Sequence, residues 1–177
     1  MNNNSGDNMH KRKNFKKEVI VLSLLLFLIA IAVRAGGRLI ETAFNRVAFP
    51  ANESIFENLK VYFTAVTVLI IGEYFARFDY PNNYLLSRIA GAVVMMAMTA
   101  VVLGVYYFFA RKNINTAFIY LIYIISIFTG QYISFLFHQI KELRLGVLLG
   151  LFQYLLTGSI IIIVTTAAPV GFLFQTW

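Results

Sequence analysis

Between Pro50 and Lys60 the chain reads Pro-Ala-Asn-Glu-Ser-Ile-Phe-Glu-Asn-Leu-Lys, which places two carboxylates, one amine and two amides within eleven residues. Carboxylates in this company can serve as general bases or ion ligands, and the amine and amides can pair with them or with a ligand. The flanking sequence is apolar, and ionisable groups at membrane depth are costly enough that they tend to carry function. A structural reading competes for the same residues. Ser54-Ile55-Phe56-Glu57 has the form of a capping box, in which the serine hydroxyl accepts from the third helical amide and the glutamate reaches back to the cap. Acids in a first turn also suit the positive end of the helix dipole. Capping accounts for Ser54, Glu57 and Asn52, and less well for Glu53, Asn58 and Lys60. Glu53, Glu57 and Lys60 fall on one helix face if the helix starts early, where they pair with one another or form a polar site facing the protein interior.

Other polar residues are sparse and placed at helical spacing. Arg34, Arg38, Glu41 and Asn45 form a stripe that is either solvated, with its long side chains snorkelling, or part of an interior ion-pair network or phosphate clamp. Arg38 and Glu41 can pair at i, i+3, and Glu73 can pair with Arg77 at i, i+4. Glu57 and Glu73 are sixteen residues apart, roughly 24 Å along a helix, too far for one paired-carboxylate site. If both face inward, they mark two ends of an ion pathway. Ser126, Thr129, Gly130, Gln131 and Ser134 cluster in one apolar stretch, where Gln131 is expected to bond between helices and Gly130 to allow close approach. Gly146-x-x-x-Gly150 and the weaker Ala100-x-x-x-Gly104 are small-residue packing faces of the same kind.

Much established chemistry is excluded. The absence of Cys removes disulfides, thiolate metal sites and cysteine nucleophiles. His10 and His138 are too remote to read as a His-rich site, so neither a metal nor a cofactor is expected. His138 is expected to sit at an interface. No G-x-S-x-G, H-E-x-x-H, P-loop or dinucleotide fingerprint occurs.

The elements that must position these residues are membrane spans. Of 177 residues, 59% are apolar, 16% aromatic and only 13% charged, and mean hydropathy is +0.73. A soluble domain of this size could not hide that much apolar surface. Five apolar runs, near 18–40, 59–77, 87–110, 115–138 and 146–167, each match the roughly 17–25 residues needed to cross a ~30 Å hydrocarbon core. A spanning backbone must satisfy its own hydrogen bonds, so all five are expected to be helices. The fold class is therefore all-α, an integral membrane bundle of five transmembrane helices in one domain, 18–177. A polar, basic tail, 1–17, is expected to be disordered. A secretory signal over Val19–Val33 is rejected, because no small-x-small cleavage site follows and Arg34 interrupts.

With the N-terminus inside, nine Lys and Arg flank the cytoplasmic side (Lys11, Arg12, Lys13, Lys16, Lys17, Arg77, Arg88, Lys141, Arg144) and six the other (Arg34, Arg38, Arg46, Lys60, Arg111, Lys112). The expectation is a cell-membrane protein with a cytoplasmic N-terminus and an outside C-terminus. The net charge of +7 thus reads as an orientation signal toward membrane lipids, and nucleic acid is not an expected partner. Turns are expected at Arg77–Ser87, marked by Asp79–Asn83, and at Arg111–Asn113 and Lys141–Arg144. The long connection Arg34–Asn58 is expected to fold back over the outer end. Tyr106, Tyr107, Tyr132, Tyr154 and Trp177 read partly as interfacial anchors. No internal repeat supports an inverted-repeat transporter plan.

The tract resembles that of a family of small prokaryotic polytopic membrane proteins sharing a domain of unknown function, approximately Pro-x-Asn-Glu-Ser-x-Trp-Glu-His-x-Lys. Pro50, Asn52, Glu53, Ser54, Phe56, Glu57, Asn58 and Lys60 carry the resemblance here, with Glu73-Tyr74 and Gly130-Gln131-Tyr132-Ile133-Ser134 beyond it. Asn58 replaces the family's frequent His and Phe56 its frequent Trp, so a metal or proton-relay role for position 58 does not carry over. The resemblance implies the fold and candidate residues but no reaction.

Two function classes follow. One is a small transporter, channel or binding subunit, with a polar site of Asn52, Glu53, Glu57, Asn58 and Lys60 at the outer mouth of the second span. Arg34, Arg38 and Gln131 would line it, Glu73 is a further polar candidate near the cytoplasmic end of the same span, and a homo-oligomer or partner subunit is expected because five helices are few. The other is a membrane-embedded enzyme acting on a lipid or isoprenoid head group, with Glu53 or Glu57 as general base.

Overall fold

A computed structural model of the chain describes residues 4–36, 50, 54–76, 81–110, 115–140 and 143–167. They form five helices: α1 Asn4–Gly36, α2 Ile55–Ala76, α3 Tyr84–Ala110, α4 Thr116–Gln139 and α5 Gly146–Ala167. Each carries a stretch long and apolar enough to cross a membrane: Lys17–Gly36, Ile55–Ala76, Tyr84–Phe109, Ala117–Gln139 and Gly146–Ala167. The second and third spans begin a few residues earlier than hydropathy alone predicts, because their first turns contain the polar residues of the tract and of the Asn82–Ser87 stretch. α1 takes in the polar N-terminal stretch that the sequence reading assigns to a disordered tail.

The helices start where capping chemistry allows. The Ser54 hydroxyl accepts from the Glu57 amide at 3.3 Å at the start of α2, and Asn115 Oδ1 accepts from the Ala117 amide at the start of α4. Both meet the demand that a helix end satisfy its leading N–H groups. At the α2–α3 turn, Asn83 reaches to the far link: its Nδ2 donates to the Ile140 carbonyl and its Oδ1 accepts from the Leu143 amide. One buried side chain thereby ties the start of α3 to the α4–α5 connection.

Packing centres on α3, which lies against α2, α4 and α5, while α1 covers α2 and α4. Side chains at three- to four-residue spacing make the core: Leu26, Ala30 and Val33 on α1; Tyr62, Ala65, Val66 and Leu69 on α2; Ile89, Ala92, Met95 and Leu103 on α3; Ile119, Ile122, Tyr123 and Ile127 on α4. The outer faces are apolar too, with Leu28, Phe75, Phe108, Phe109, Leu148 and Phe152 all exposed. In water that surface would be untenable, whereas lipid removes the penalty. α5 buries only Gly146, Gly150 and Ile161 and is the most lipid-facing helix.

Small residues set the closest approach, as expected between helices in a bilayer. A Cβ on Gly91 would stand 2.7 Å from the Gly130 carbonyl oxygen, and one on Gly130 would collide with the Met95 side chain. Gly150 likewise abuts the Leu86 amide, and Gly146 abuts Asn83, so the predicted Gly146–Gly150 face seats α5 on the start of α3. Gly91, the partner of Gly130, is not evident from any spaced motif. Tyr154, expected as an interfacial anchor, instead bonds Thr67 and stacks on Phe63 between α5 and α2. Tyr106 stacks on Phe118.

Gly91→Ala is expected to part α3 from α4 and cost about 1–3 kcal/mol, the usual penalty of overpacking. Gly72→Ala, where an added Cβ meets nothing within 4 Å, is expected to be neutral or slightly stabilising. Thermal unfolding of both variants in detergent measures the contrast; equal melting would contradict the tight crossing.

Candidate functional site

The polar residues of the spans gather into two buried clusters at opposite ends of the bundle. The first lies where the C-terminal end of the α1 span meets the start of α2. Arg34 is 6% exposed; its Nη1 donates to Asn58 Oδ1 at 2.5 Å and to the Tyr123 hydroxyl at 3.2 Å. Tyr123 in turn donates to the same Asn58 oxygen at 2.6 Å. Asn58 Nδ2 donates to the Ser54 carbonyl, so the carboxamide is locked at both ends. Arg34 also lies over the rings of Tyr120 and Tyr123, at 6.0 and 5.9 Å, where a guanidinium gains from the ring quadrupole.

On the neighbouring turn of α2, Lys60 Nζ pairs with Glu57 Oε2 at 2.6 Å and sits 5.8 Å from the Phe56 ring centroid. Lys60 is 1% exposed and Glu57 8%. Uncompensated, either charge would cost several kcal/mol in a medium of low dielectric, so the pair neutralises what its depth makes costly. Ser54 caps the helix as the sequence predicts, and Glu57, Asn58 and Lys60 face the interior. Asn52, Glu53, Arg38, Glu41 and Asn45 lie outside the described residues, as does most of the connection expected to fold over this end.

A bridge of neutral hydroxyls extends the first cluster inward. The Tyr62 ring meets Tyr123 edge-on at 5.1 Å. Its hydroxyl accepts from Thr99 Oγ1 at 2.8 Å, and Thr99 shares a second bond with Ser126 at 3.0 Å. All these side chains are fully buried.

The second cluster lies at the other end, where α2 ends and α3 begins. Glu73 is held from the next helix: Arg88 Nη2 donates to its Oε1 at 2.5 Å, and the Tyr84 hydroxyl to its Oε2 at 2.6 Å. Arg77 lies outside the described residues. Arg88 Nη1 donates to Gln131 Oε1 at 3.0 Å, which realises the interhelical role predicted for Gln131. Arg88, counted above as a flanking charge, is thus an internal link among α2, α3 and α4. Thr129, by contrast, turns its hydroxyl to the Ile125 carbonyl of its own helix.

A cavity of about 150 Å³ adjoins this cluster, lined by Glu18, Leu22, Ser87, Arg88, Gln131, Ser134 and His138 among others. His138 is exposed at its wall. Among the described residues, no three His, Asp or Glu converge as a metal-ligand set.

Of the residues that sequence reasoning singled out, Arg34, Glu57, Asn58 and Lys60 come together at the start of α2, whereas Gln131, expected to line that same site, lies with Glu73 and Arg88 at the opposite end. Sequence reasoning missed their partners Tyr123, Tyr84 and Arg88, together with Tyr62 and Thr99. A usable signal existed on α4, where Tyr123, Ser126, Gly130 and Ser134 recur at three- to four-residue spacing. Comparison with protein-family models, with curated proteins and with solved structures finds no match to this chain.

Asn58→Ala removes the acceptor that Arg34 and Tyr123 share and is expected to destabilise by on the order of 2 kcal/mol, the range for a bond to a buried charge. Tyr123→Phe removes one neutral link and is expected to cost about 1 kcal/mol. Chemical denaturation in detergent tests the order; a larger loss in Tyr123→Phe would contradict the central place of Asn58.

Proposed function

We propose that this is a non-enzymatic, multi-pass membrane protein, a small transporter, channel or binding subunit whose two buried clusters mark the ends of a pathway for an ion or small polar solute. The observation that carries the reading is that Glu57 and Glu73 are both buried, each paired with a cation, near opposite ends of α2. Charges needed only for solubility would snorkel to the interface, whereas these turn inward. The Tyr62–Thr99–Ser126 hydroxyls, one each from α2, α3 and α4, lie between the two ends. The resemblance of the Pro50–Lys60 tract to a family of membrane proteins agrees with a polar site at the mouth of α2. Glu57 suits the competing role of general base less well, because its carboxylate is held by Lys60.

Arg34 and Lys60 are buried and Arg88 is bonded within the bundle, so none of the three acts as a flanking charge. Without them, eight Lys and Arg remain on the N-terminal side and four on the other, which supports a cytoplasmic N-terminus. A second copy of the chain or a partner subunit completes the assembly in this reading, with lipid around it.

Purified protein in liposomes loaded with pH- and ion-sensitive dyes tests the proposal. Wild type is expected to raise proton or monovalent-ion flux above that of empty vesicles. Glu57→Gln and Glu73→Gln, each checked for folding, are expected to return it to background. Wild-type vesicles indistinguishable from empty ones across protons, sodium, potassium and chloride would overturn the reading.

A further inference from the structure

The middle of the bundle is interrupted. Helices α2, α3 and α4 each contribute one residue to the Tyr62–Thr99–Ser126 hydroxyls and one to the Glu73–Arg88–Gln131 cluster. Among the described residues no hydrogen bond carries the first layer on to the second. Every buried side chain of these three helices between the layers is apolar, among them Val66, Leu69, Ala92, Met95 and Ile127. The interval is shortest on α4, where Ser126 and Gln131 are five residues apart, about 7.5 Å along the helix. Two or three hydrogen-bonded waters, spaced about 2.8 Å apart, would cross it.

One side chain fills that interval. Gly130 stands between Ser126 and Gln131, and the space that a Cβ there would take is held by the Met95 side chain from α3. Met95 is 1% exposed and Thr99 and Ser126 fully buried, so this arrangement is closed to water. An apolar constriction of that kind gates by excluding water. Val66 and Ile127, in the same interval, are β-branched and stiff at χ1, whereas methionine is unbranched, has three rotatable bonds and adapts its packing readily. We propose that Met95, seated on Gly130, is the gate of the pathway. Its side chain swings off the glycine to admit a short file of water joining Thr99 and Ser126 to Gln131. The inference rests on the pathway reading and names the residue that holds that pathway shut.

Dye-loaded liposomes carrying the full chain test the gate on whichever ion wild type conducts, with each variant checked for folding. Met95→Ser empties the interval and adds a hydroxyl to it, and is expected to raise flux several-fold above wild type. Met95→Leu keeps an apolar side chain of similar volume and is expected to leave flux unchanged. Ile119→Ala removes a fully buried side chain one turn of α4 beyond Tyr123, outside the interval, and is also expected to leave flux unchanged. A conducting wild type with Met95→Ser no faster would overturn the gate and leave the pathway standing, as would Ile119→Ala matching Met95→Ser, the mark of a loosened bundle. A wild type without flux overturns the pathway and the gate with it. Should Met95→Ser fail to fold, Met95→Gln, close to methionine in shape and able to bridge the interval with its amide, carries the same expectation.

Discussion

A guanidinium carried into the interior of a helical membrane bundle has no water to fall back on, and its N–H groups must find oxygen on another helix. Arg34 and Arg88 obey this constraint at opposite ends. Arg34 draws Asn58 of α2 and Tyr123 of α4 to α1, and Arg88 draws Glu73 of α2 and Gln131 of α4 to α3. Four helices are thereby pinned at two heights, three at each. In hydrocarbon, where apolar contact between helices has little advantage over apolar contact with lipid, such links and close van der Waals fit are what distinguish one arrangement from another.

Fit supplies the remainder. The Gly91–Gly130 crossing lets the α3 and α4 backbones approach to near contact, and the Thr99–Ser126 bond lies farther along the same interface. α5 is held differently, by Gly146 and Gly150 against the start of α3 and by Tyr154 against α2. Asn83 fixes the register of that end by bonding both sides of the α4–α5 link. The polar groups therefore specify the bundle, and those at one end border a cavity.

Much of the candidate site was legible because the carriers of charge in an apolar chain are few. Glu57, Lys60 and Glu73 attract notice by type alone, and helical spacing correctly turns Glu57 toward Lys60. What local spacing leaves out is the partner on another helix. Glu73 has Arg77 four residues on, outside the described residues, and Arg88 and Tyr84 reach its carboxylate from the next helix. Tyr123 and Tyr154 look alike as aromatic residues of apolar spans. One closes a buried charge cluster and the other joins α5 to α2, a difference that depends on which face each helix turns inward.

Composition and hydropathy by themselves determined the fold class and the number of spanning helices, because a chain this apolar can satisfy its backbone in lipid only as helices. Capping chemistry marked Ser54 as the cap from which α2 starts. The tertiary structure alone decided which helices touch, that Arg34 and Arg88 are internal rather than flanking, and that a cavity lies beside Arg88 and Gln131. The physical reason is range. Hydrophobicity and capping act within one helix and are written in consecutive residues, whereas a buried hydrogen bond between helices joins positions up to 89 residues apart and is chosen by packing.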